Sequence, residues 1–124
     1  MNLDKKLDDA WALLVKLKAG NKCEYCGTPN TLNSHHVYSR AKRSVRWYVQ
    51  NGVCLCVAHH VFDPKFAAHL TPTDFTEWII EKRGREWYDS LRLEAHKTVK
   101  IGDFEKTLLL DYLLKEIEKA KKCL

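Results

Sequence analysis

Apolar residues recur at three- and four-residue spacing near the start of the chain, which predicts an amphipathic helix from residue 3 to about residue 19. Gly20 stands where such a helix would end. The expected apolar stripe consists of Leu3, Leu7, Trp11, Leu14 and Leu17. We expect this stripe to face the core.

Helical patterns return after residue 70. Thr71 or Thr73 can cap a helix that ends at Gly84, and residues 85–98 show a less regular helical pattern. The inward side chains of the first of these helices would be Phe75, Trp78 and Ile79. The sequence therefore predicts two short helices in this region.

The last segment predicts a longer helix with Asp103 as its N-cap and a basic C-terminal end, which suits the helix dipole. Its apolar face is wide and comprises Phe104, Leu108, Leu109, Tyr112, Leu113 and Ile117. A face this broad suits contact with a partner, so a homodimer through the C-terminal helix is one expectation.

The helical period disappears between Cys23 and about Val57, where short strand-like runs alternate with polar turns. The runs are LNSHHVY, RWYVQ and VCLC. The expected fold class is α+β, with an N-terminal helix over 1–20, a loop-rich core over 21–70 and C-terminal helices over 71–124. A chain of 124 residues fits one domain.

The composition is that of a folded globular protein, with 45% hydrophobic and 10% aromatic residues. A net charge of +5 is compatible with a polyanionic partner but does not by itself identify one. The N-terminus lacks a signal-peptide pattern, and no apolar run is long enough to span a membrane. We expect a soluble intracellular protein with no membrane partner.

The cysteine spacing indicates a metal site. Closely spaced cysteines in a reducing compartment are metal ligands more often than disulfides. Cys23 and Cys26 bracket two residues, and so do Cys56 and His59. These four side chains suit a tetrahedral structural Zn²⁺, whereas Cys54 falls outside the second bracket and is interpreted as a buried strand residue.

The remaining histidines form a second pattern. His35-His36, Asn51 and His60 follow one another in the order His, Asn, His, and the run from Asn51 to His60 reads N-x-x-x-L-C-x-x-[C/H]-H. With the cysteine pairs around it, this stretch resembles the HNH endonucleases of the ββα-metal fold. The resemblance is tight from Cys23 to His60, and AHLTPTDFTEWI is similar to the segment that follows in phage and prophage members.

The resemblance implies a zinc-stapled ββα-metal core and metal-dependent hydrolysis of DNA, leaving 5′-phosphate and 3′-hydroxyl ends. It makes His36 the general base and gives His35 and His60 a catalytic divalent ion, either Mg²⁺, Mn²⁺ or another transition metal. Asn51 would orient the base histidine or touch the metal. The expected setting is bacterial or phage-infected host cytoplasm, in phage recombination, packaging or restriction.

The chain departs from the family pattern at two places. His59 replaces the usual fourth zinc cysteine, which preserves ligation but makes it more acid-sensitive. Pro64 occupies a position that some relatives use for an extra metal ligand. His69 and Asp63 are both candidates to complete the catalytic metal site, and the sequence leaves the choice open.

A basic segment lies between the histidine pair and Asn51, and it contains Arg40, Lys42, Arg43 and Arg46. In a ββα-metal fold the loop that joins the two strands flanks the active site, so these cations are predicted to contact DNA phosphates. No base-reading pattern is visible, so binding should be weakly sequence-specific or structure-specific.

Three other functions fit parts of the same pattern. A catalytically silent zinc-binding module that docks on nucleic acid would need the cysteines and the basic loop but not His36. An RNase on the same fold has no feature in the sequence that separates it from a DNase. A structural partner-binding protein is suggested by the broad apolar face of the last helix.

Overall fold

The computed structural model describes residues 2–123 and shows four helices with a small antiparallel sheet. The helices are α1 (Leu3–Lys18), α2 (Pro72–Arg83), α3 (Arg85–Ala95) and α4 (Asp103–Lys122). The strands are β1 (Leu32–His36) and β2 (Gly52–Cys56). The α+β class is thus confirmed. Within residues 2–123, no helix is both long and apolar enough to cross a membrane.

The predicted apolar stripe of α1 is buried in the structure. Leu7, Trp11 and Leu14 are almost fully inaccessible, and they pack against Leu113 and Ile117 of α4. The Asn2 side chain caps α1 by accepting a hydrogen bond from the backbone N–H of Lys5 at 2.8 Å. The helix pair α1 and α4 covers one side of the hairpin.

A second apolar cluster lies beside the hairpin and joins β2 to α2. Its buried members include Val53, Leu55, Phe66, Phe75 and Ile79. Helix α2 ends at Gly84, whose φ of +96° is readily adopted by glycine. The hairpin is therefore held between two apolar clusters, which fixes the positions of the side chains at its ends.

The hairpin pairs His35 with Val53 and His36 with Gly52. Gly52 allows α1 to approach β2 closely, because an added Cβ would lie 2.9 Å from Trp11 Cζ2 and closer still to Val15. Gly52 is the first residue of β2. Its missing side chain lets α1 pack against β2 at the residue that pairs with His36 of β1.

Three predicted features differ from the structure. The run RWYVQ is a loop with a 3₁₀ turn at Val49–Asn51, because backbone hydrogen bonds from Tyr48 N to Val45 O and from Asn51 N to Tyr48 O close successive turns. Helix α4 is capped by Gly102, whose N–H donates to Glu105, and not by Asp103. After β2 the chain forms one π-turn at Ala58–Phe62 in place of the α-helix expected from a ββα core.

The outward side of α4 remains exposed. Phe104, Leu108 and Tyr112 are 75%, 56% and 55% accessible, whereas Leu113 and Ile117 of the same predicted face are buried. The broad face therefore divides into a part that packs on α1 and a part that faces outward. A homodimer through α4 stays a prediction.

Candidate metal centres

The four predicted zinc ligands lie together next to the hairpin. Cys23 and Cys26 come from the turn after α1, Cys56 ends β2, and His59 lies in the π-turn. Their ligand atoms all lie within 4.8 Å of one another. We call these residues the Cys–His cluster.

The distances within the Cys–His cluster fit a tetrahedral ion. Cys26 Sγ lies 3.8 Å from Cys56 Sγ, and His59 Nδ1 lies 3.3 Å from Cys56 Sγ and 4.0 Å from Cys23 Sγ. Zinc with Zn–S bonds of about 2.3 Å and Zn–N bonds of about 2.0 Å would separate its ligand atoms by about 3.5 to 3.8 Å. The four residues are close enough to hold a metal ion and are compatible with a structural zinc.

The thiols of this cluster differ in acidity. Burial would raise the pKa of Cys23, but hydrogen bonds from the backbone of Cys26, Cys56 and Tyr25 stabilise the thiolate and lower the pKa to about 6. Burial and the neighbouring thiols raise the pKa of Cys26. A bound cation favours the thiolate form, which is the form that ligates.

Cys54 is not part of the cluster. It is fully buried in β2, and burial with the nearby Glu24 carboxylate raises its pKa to about 11. The interpretation of Cys54 as a buried strand residue agrees with this position.

Asp63 contacts the Cys–His cluster from outside. Its Oδ2 lies 3.6 Å from His59 Nε2, on the side of the ring opposite to the nitrogen that faces the thiols. Carboxylates placed in this way orient a ligating histidine and raise its basicity. Asp63 therefore supports the Cys–His cluster and is not a third ligand for the histidines of the neighbouring site.

The second group brings together His35, His60 and His69, which we call the three-His cluster. His60 Nε2 lies 3.2 Å from His35 Nδ1 and 3.1 Å from His69 Nε2. A metal ion with bonds of about 2.0 to 2.2 Å requires comparable separations between its ligand atoms. The structure thus groups the predicted pair His35 and His60, and it places His69, not Asp63, beside them.

Two backbone hydrogen bonds place His69 in this cluster. Ala68 N donates to His59 O at 2.9 Å, and His69 N donates to His60 O at 3.0 Å. The segment before α2 is therefore bound alongside the π-turn. His69 reaches the cluster although nine residues separate it from His60 in the sequence.

The protonation state of the three-His cluster suits a cation. The amide oxygen of Asn33 accepts a hydrogen bond from His60 Nδ1 at 3.1 Å, which leaves the lone pair of His60 on Nε2, toward the other two rings. Burial, with the neighbouring His60, His69 and His36 rings, lowers the pKa of His35 to about 3. Burial and His69 also lower the pKa of His60. Neutral imidazoles are the form that binds metal.

A cleft of about 500 Å³ opens beside the three-His cluster. His36 and Arg40 line it from the end of β1 and the following loop. Phe75 and Thr76 of α2 line it as well. The three histidines fill fewer positions than a metal ion accepts, so the cleft leaves room for water or a substrate group.

His36 lies outside the three-His cluster because adjacent strand residues point to opposite faces. Its ring stacks on Trp11 of α1, with centroids 3.8 Å apart and planes 8° from parallel. His36 Nε2 lies 2.9 Å from the carbonyl oxygen of Arg46, which can only accept, so Nε2 carries the proton. Burial lowers the pKa of His36, which favours the neutral ring.

Asn51 does not take the metal-contacting role that the resemblance left open. It is fully buried, and its amide bonds the loop: Oδ1 accepts from Tyr38 N at 2.7 Å, and Nδ2 donates to Tyr38 O at 2.9 Å and Val45 O at 3.2 Å. It contacts neither the His36 ring nor the three-His cluster through these bonds. Of the two roles that the resemblance left open, these contacts favour orientation of the loop that bears the Arg46 carbonyl beside His36, and a catalytic role for Asn51 stays a prediction.

The four cations of the basic loop occupy different environments. Arg46 is buried and donates two hydrogen bonds to Asp8, at 3.0 and 2.7 Å, so the prediction that it contacts phosphate is wrong. Arg43 binds Asp4 at 3.3 Å but stays partly exposed. Arg40 lines the cleft and Lys42 is exposed, so both are accessible to a ligand.

Sequence reasoning missed the contribution of α1 to this region. Trp11 stacks on His36, and Asp8 holds Arg46 and accepts a hydrogen bond from Trp47 Nε1 at 2.8 Å. The periodicity of α1 predicted that Trp11 is buried but could not show which ring covers it. An acid one turn before a buried tryptophan was the available signal for Asp8.

Comparisons with known proteins leave the family open. No protein-family profile, curated protein or solved structure matches the chain. The likeness to HNH endonucleases therefore rests on the chain's own residues. The geometry gives two groups of side chains that could hold a metal ion, one rich in thiols and one made of imidazoles beside a cleft.

Proposed function

We propose that this protein is a metal-dependent endonuclease of HNH type that hydrolyses phosphodiester bonds in DNA. The observation that carries the proposal is the convergence of three imidazoles, with nitrogens 3.1 to 3.2 Å apart, in a cleft that His36 and Arg40 also line. Three protein ligands with open positions are typical of catalytic rather than structural metal sites. The setting we propose is a phage or prophage function such as recombination, packaging or restriction.

The ligand chemistry narrows the choice of metal. Among the described residues, no carboxylate belongs to the three-His cluster. Imidazoles suit zinc, nickel, copper and iron, whereas Mg²⁺ prefers oxygen ligands. We therefore favour a transition metal over Mg²⁺. When bound, such an ion would neutralise charge on the scissile phosphate and stabilise the leaving 3′ oxygen.

His36 is the proposed general base. Its Nε2 donates to the Arg46 carbonyl, so the Nδ1 lone pair is the one free to take a proton from the attacking water. The stacked Trp11 ring and the Arg46 carbonyl restrict the orientation of the imidazole. Arg40 adds positive charge to the same cleft, where a phosphate would lie.

The Cys–His cluster has a structural role in this proposal. A zinc ion there would tie the turn after α1 to the end of β2 and to the π-turn. The π-turn carries His60, so the structural ion would also fix one ligand of the catalytic site. Asn51 and Arg46 act in the same indirect way, by holding the loop that carries the His36 acceptor.

A second candidate is a module that binds nucleic acid without cleaving it. The observation that favours it is that His36 is stacked and hydrogen-bonded within the fold, which gives it a structural use independent of chemistry. This candidate keeps both the Cys–His cluster and the basic loop. The two candidates differ in cleavage: the nuclease cleaves a phosphodiester substrate and loses this activity without His36, whereas the binding module does not cleave it.

The test is nicking of supercoiled plasmid by zinc-replete protein with added Mn²⁺, Ni²⁺, Zn²⁺ or Mg²⁺. We expect activity with a transition metal, and His36→Ala should lose it by about 10²- to 10⁴-fold, the usual loss on removing a general base. Lys115→Gln, on the exposed side of α4, is the control variant. Labelled RNA in the same assay separates DNase from RNase activity. Wild-type rates from a folded His36→Ala protein would contradict the proposal.

A further inference from the structure

A basic groove of about 280 Å³ lies between the turn at residues 41–44 and the segment at residues 95–99 that follows α3. Its wall contains the side chains of Lys42, Arg43 and Lys97, with His96 beside them. No Asp or Glu is among the described residues that line it. The wall therefore presents cations without an acid of its own.

The two acids that neutralise part of this charge are held weakly. Arg43 Nη2 lies 3.3 Å from Asp4, and Lys97 Nζ lies 2.6 Å from Glu94. The side chains of Arg43 and Lys97 are 40% and 59% exposed. Exposed pairs of this kind contribute about 0 to 1 kcal/mol, so an incoming phosphate can compete for both cations.

Ser44 belongs to the groove wall and is only 8% accessible. Its Oγ has no hydrogen-bond partner among the described residues, but the oxygen itself is almost inaccessible. The cations of the wall, and not this hydroxyl, therefore favour an anionic ligand.

The groove and the cleft of the three-His cluster are lined by consecutive residues of one loop. Arg40 lines the cleft, and the next four residues, 41–44, line the groove. Four Cα steps of about 3.8 Å place Arg40 and Ser44 at most about 15 Å apart. One strand of a DNA duplex carries a phosphate about every 3.4 Å of helix axis, so this distance corresponds to at most about four nucleotides.

We propose that the groove formed by Lys42, Arg43, Ser44 and Lys97 binds backbone phosphates of the DNA strand whose scissile bond lies in the three-His cleft. This inference rests on the proposed nuclease function. Phosphate contacts from these cations would add affinity and fix the register of the strand. It also makes the connection between α3 and α4 part of the DNA interface.

The experiment measures binding of a short fluorescein-labelled DNA duplex to zinc-replete protein by anisotropy, without added divalent metal, between about 50 and 200 mM salt. Lys42→Gln and Lys97→Gln are the groove variants. Lys115→Gln is the matched control, because its ammonium pairs with Asp111 at 3.0 Å much as Lys97 pairs with Glu94. Each groove variant should weaken binding about 3- to 10-fold and reduce the slope of log K against log salt by about one.

Groove variants that bind with the affinity and salt slope of Lys115→Gln would overturn the inference, even if plasmid nicking establishes the nuclease. If the groove variants reduce the slope of log K against log salt but wild-type protein does not nick plasmid, the groove is a phosphate-binding surface and the proposed nuclease function is wrong. Competition by polyglutamate as effective as competition by DNA would assign the groove to any polyanion and overturn its assignment to a phosphate backbone.

Discussion

The Cys–His cluster and the three-His cluster begin from adjacent residues, His59 and His60, but they differ in ligand chemistry and access. The first uses three thiols and one imidazole, and two of its cysteines are almost fully buried. The second uses imidazoles alone, includes the exposed His69, and adjoins the cleft.

This difference indicates how one short segment can serve two purposes. Four protein ligands complete a tetrahedron and leave no position for substrate, which is the arrangement of structural zinc sites. Three imidazoles leave positions for water or a phosphate oxygen. Loss of the first cluster should therefore affect the fold, and loss of the second should affect chemistry.

The largest effect is expected from Cys56→Ser. Binding free energies of structural zinc in zinc-finger peptides are about 10 to 16 kcal/mol, so loss of one thiol should release the ion and unfold residues 23–60. Mass spectrometry of metal content and thermal melting by circular dichroism would measure this. Cys54→Ala is the matched control, since it removes a buried thiol from the same strand but no ligand. Full metal content and unchanged melting of Cys56→Ser would show that the Cys–His cluster has no structural role that sets it apart from the three-His cluster.

The next effect separates two histidines near the cleft. His60→Ala should weaken binding of the proposed catalytic ion to the three-His cluster. High concentrations of that metal should then partly restore nicking, because mass action refills the site. His36→Ala should bind the ion normally and resist such rescue. Isothermal titration with the metal and nicking assays would provide both measurements. If high metal concentration restores nicking equally in the two variants, His36 is not the general base.

Asp8→Asn tests a stabilising contact that involves neither cluster. Burial would raise the pKa of Asp8, but the hydrogen bonds from Arg46 and Trp47 outweigh it and hold the pKa below its usual value. Such a carboxyl stabilises the fold above its unfolded pKa, about 3.9, and loses that contribution as pH falls through the lower folded pKa. The free energy of unfolding of the variant should be about 1.5 to 3 kcal/mol lower than that of wild type at neutral pH. The difference should be smaller in acid, and the zinc content should not change.

Urea unfolding of wild type and Asp8→Asn at several pH values would measure this difference directly. The gap in stability should narrow as the pH falls from 6 toward the folded pKa of Asp8. A gap that stays constant over that range would show that the carboxylate charge has no part in the stabilisation. Zinc analysis of both proteins keeps this result separate from metal loss.

The smallest effects should come from the residues that orient each cluster from outside. Asn33→Ala removes the 3.1 Å hydrogen bond to His60, and Asp63→Asn removes the carboxylate 3.6 Å from His59. Changes of this kind typically weaken metal binding by about 10- to 100-fold. Because the contact of Asp63 with His59 is the longer of the two, Asp63→Asn should show a loss of metal affinity near the lower end of this range. Each variant should weaken metal binding at its own cluster more than at the other in competition titrations with a chromophoric chelator, and equal effects on both would show that the clusters are not separable.

Local spacing allowed the sequence to predict the Cys–His cluster completely, because a two-residue bracket nearly dictates where two ligands point. His69 was left open because two backbone bonds to the π-turn decide its approach, and spacing does not encode them. Arg46 was misassigned because its partner Asp8 lies 38 residues earlier on another element. The helices followed from periodicity, while the strand predicted for RWYVQ was wrong because its β-prone side chains lie in successive turns closed by local backbone hydrogen bonds.

The π-turn at Ala58–Phe62 closes with a hydrogen bond from Asp63 N to Ala58 O at 2.8 Å and sends His59 and His60 into different clusters. A single peptide bond therefore joins the two ligand sets. If each cluster binds an ion, one ion would restrict that peptide and lower the conformational entropy that the other ion must remove. By thermodynamic linkage, each ion would then raise the affinity for the other by the same factor.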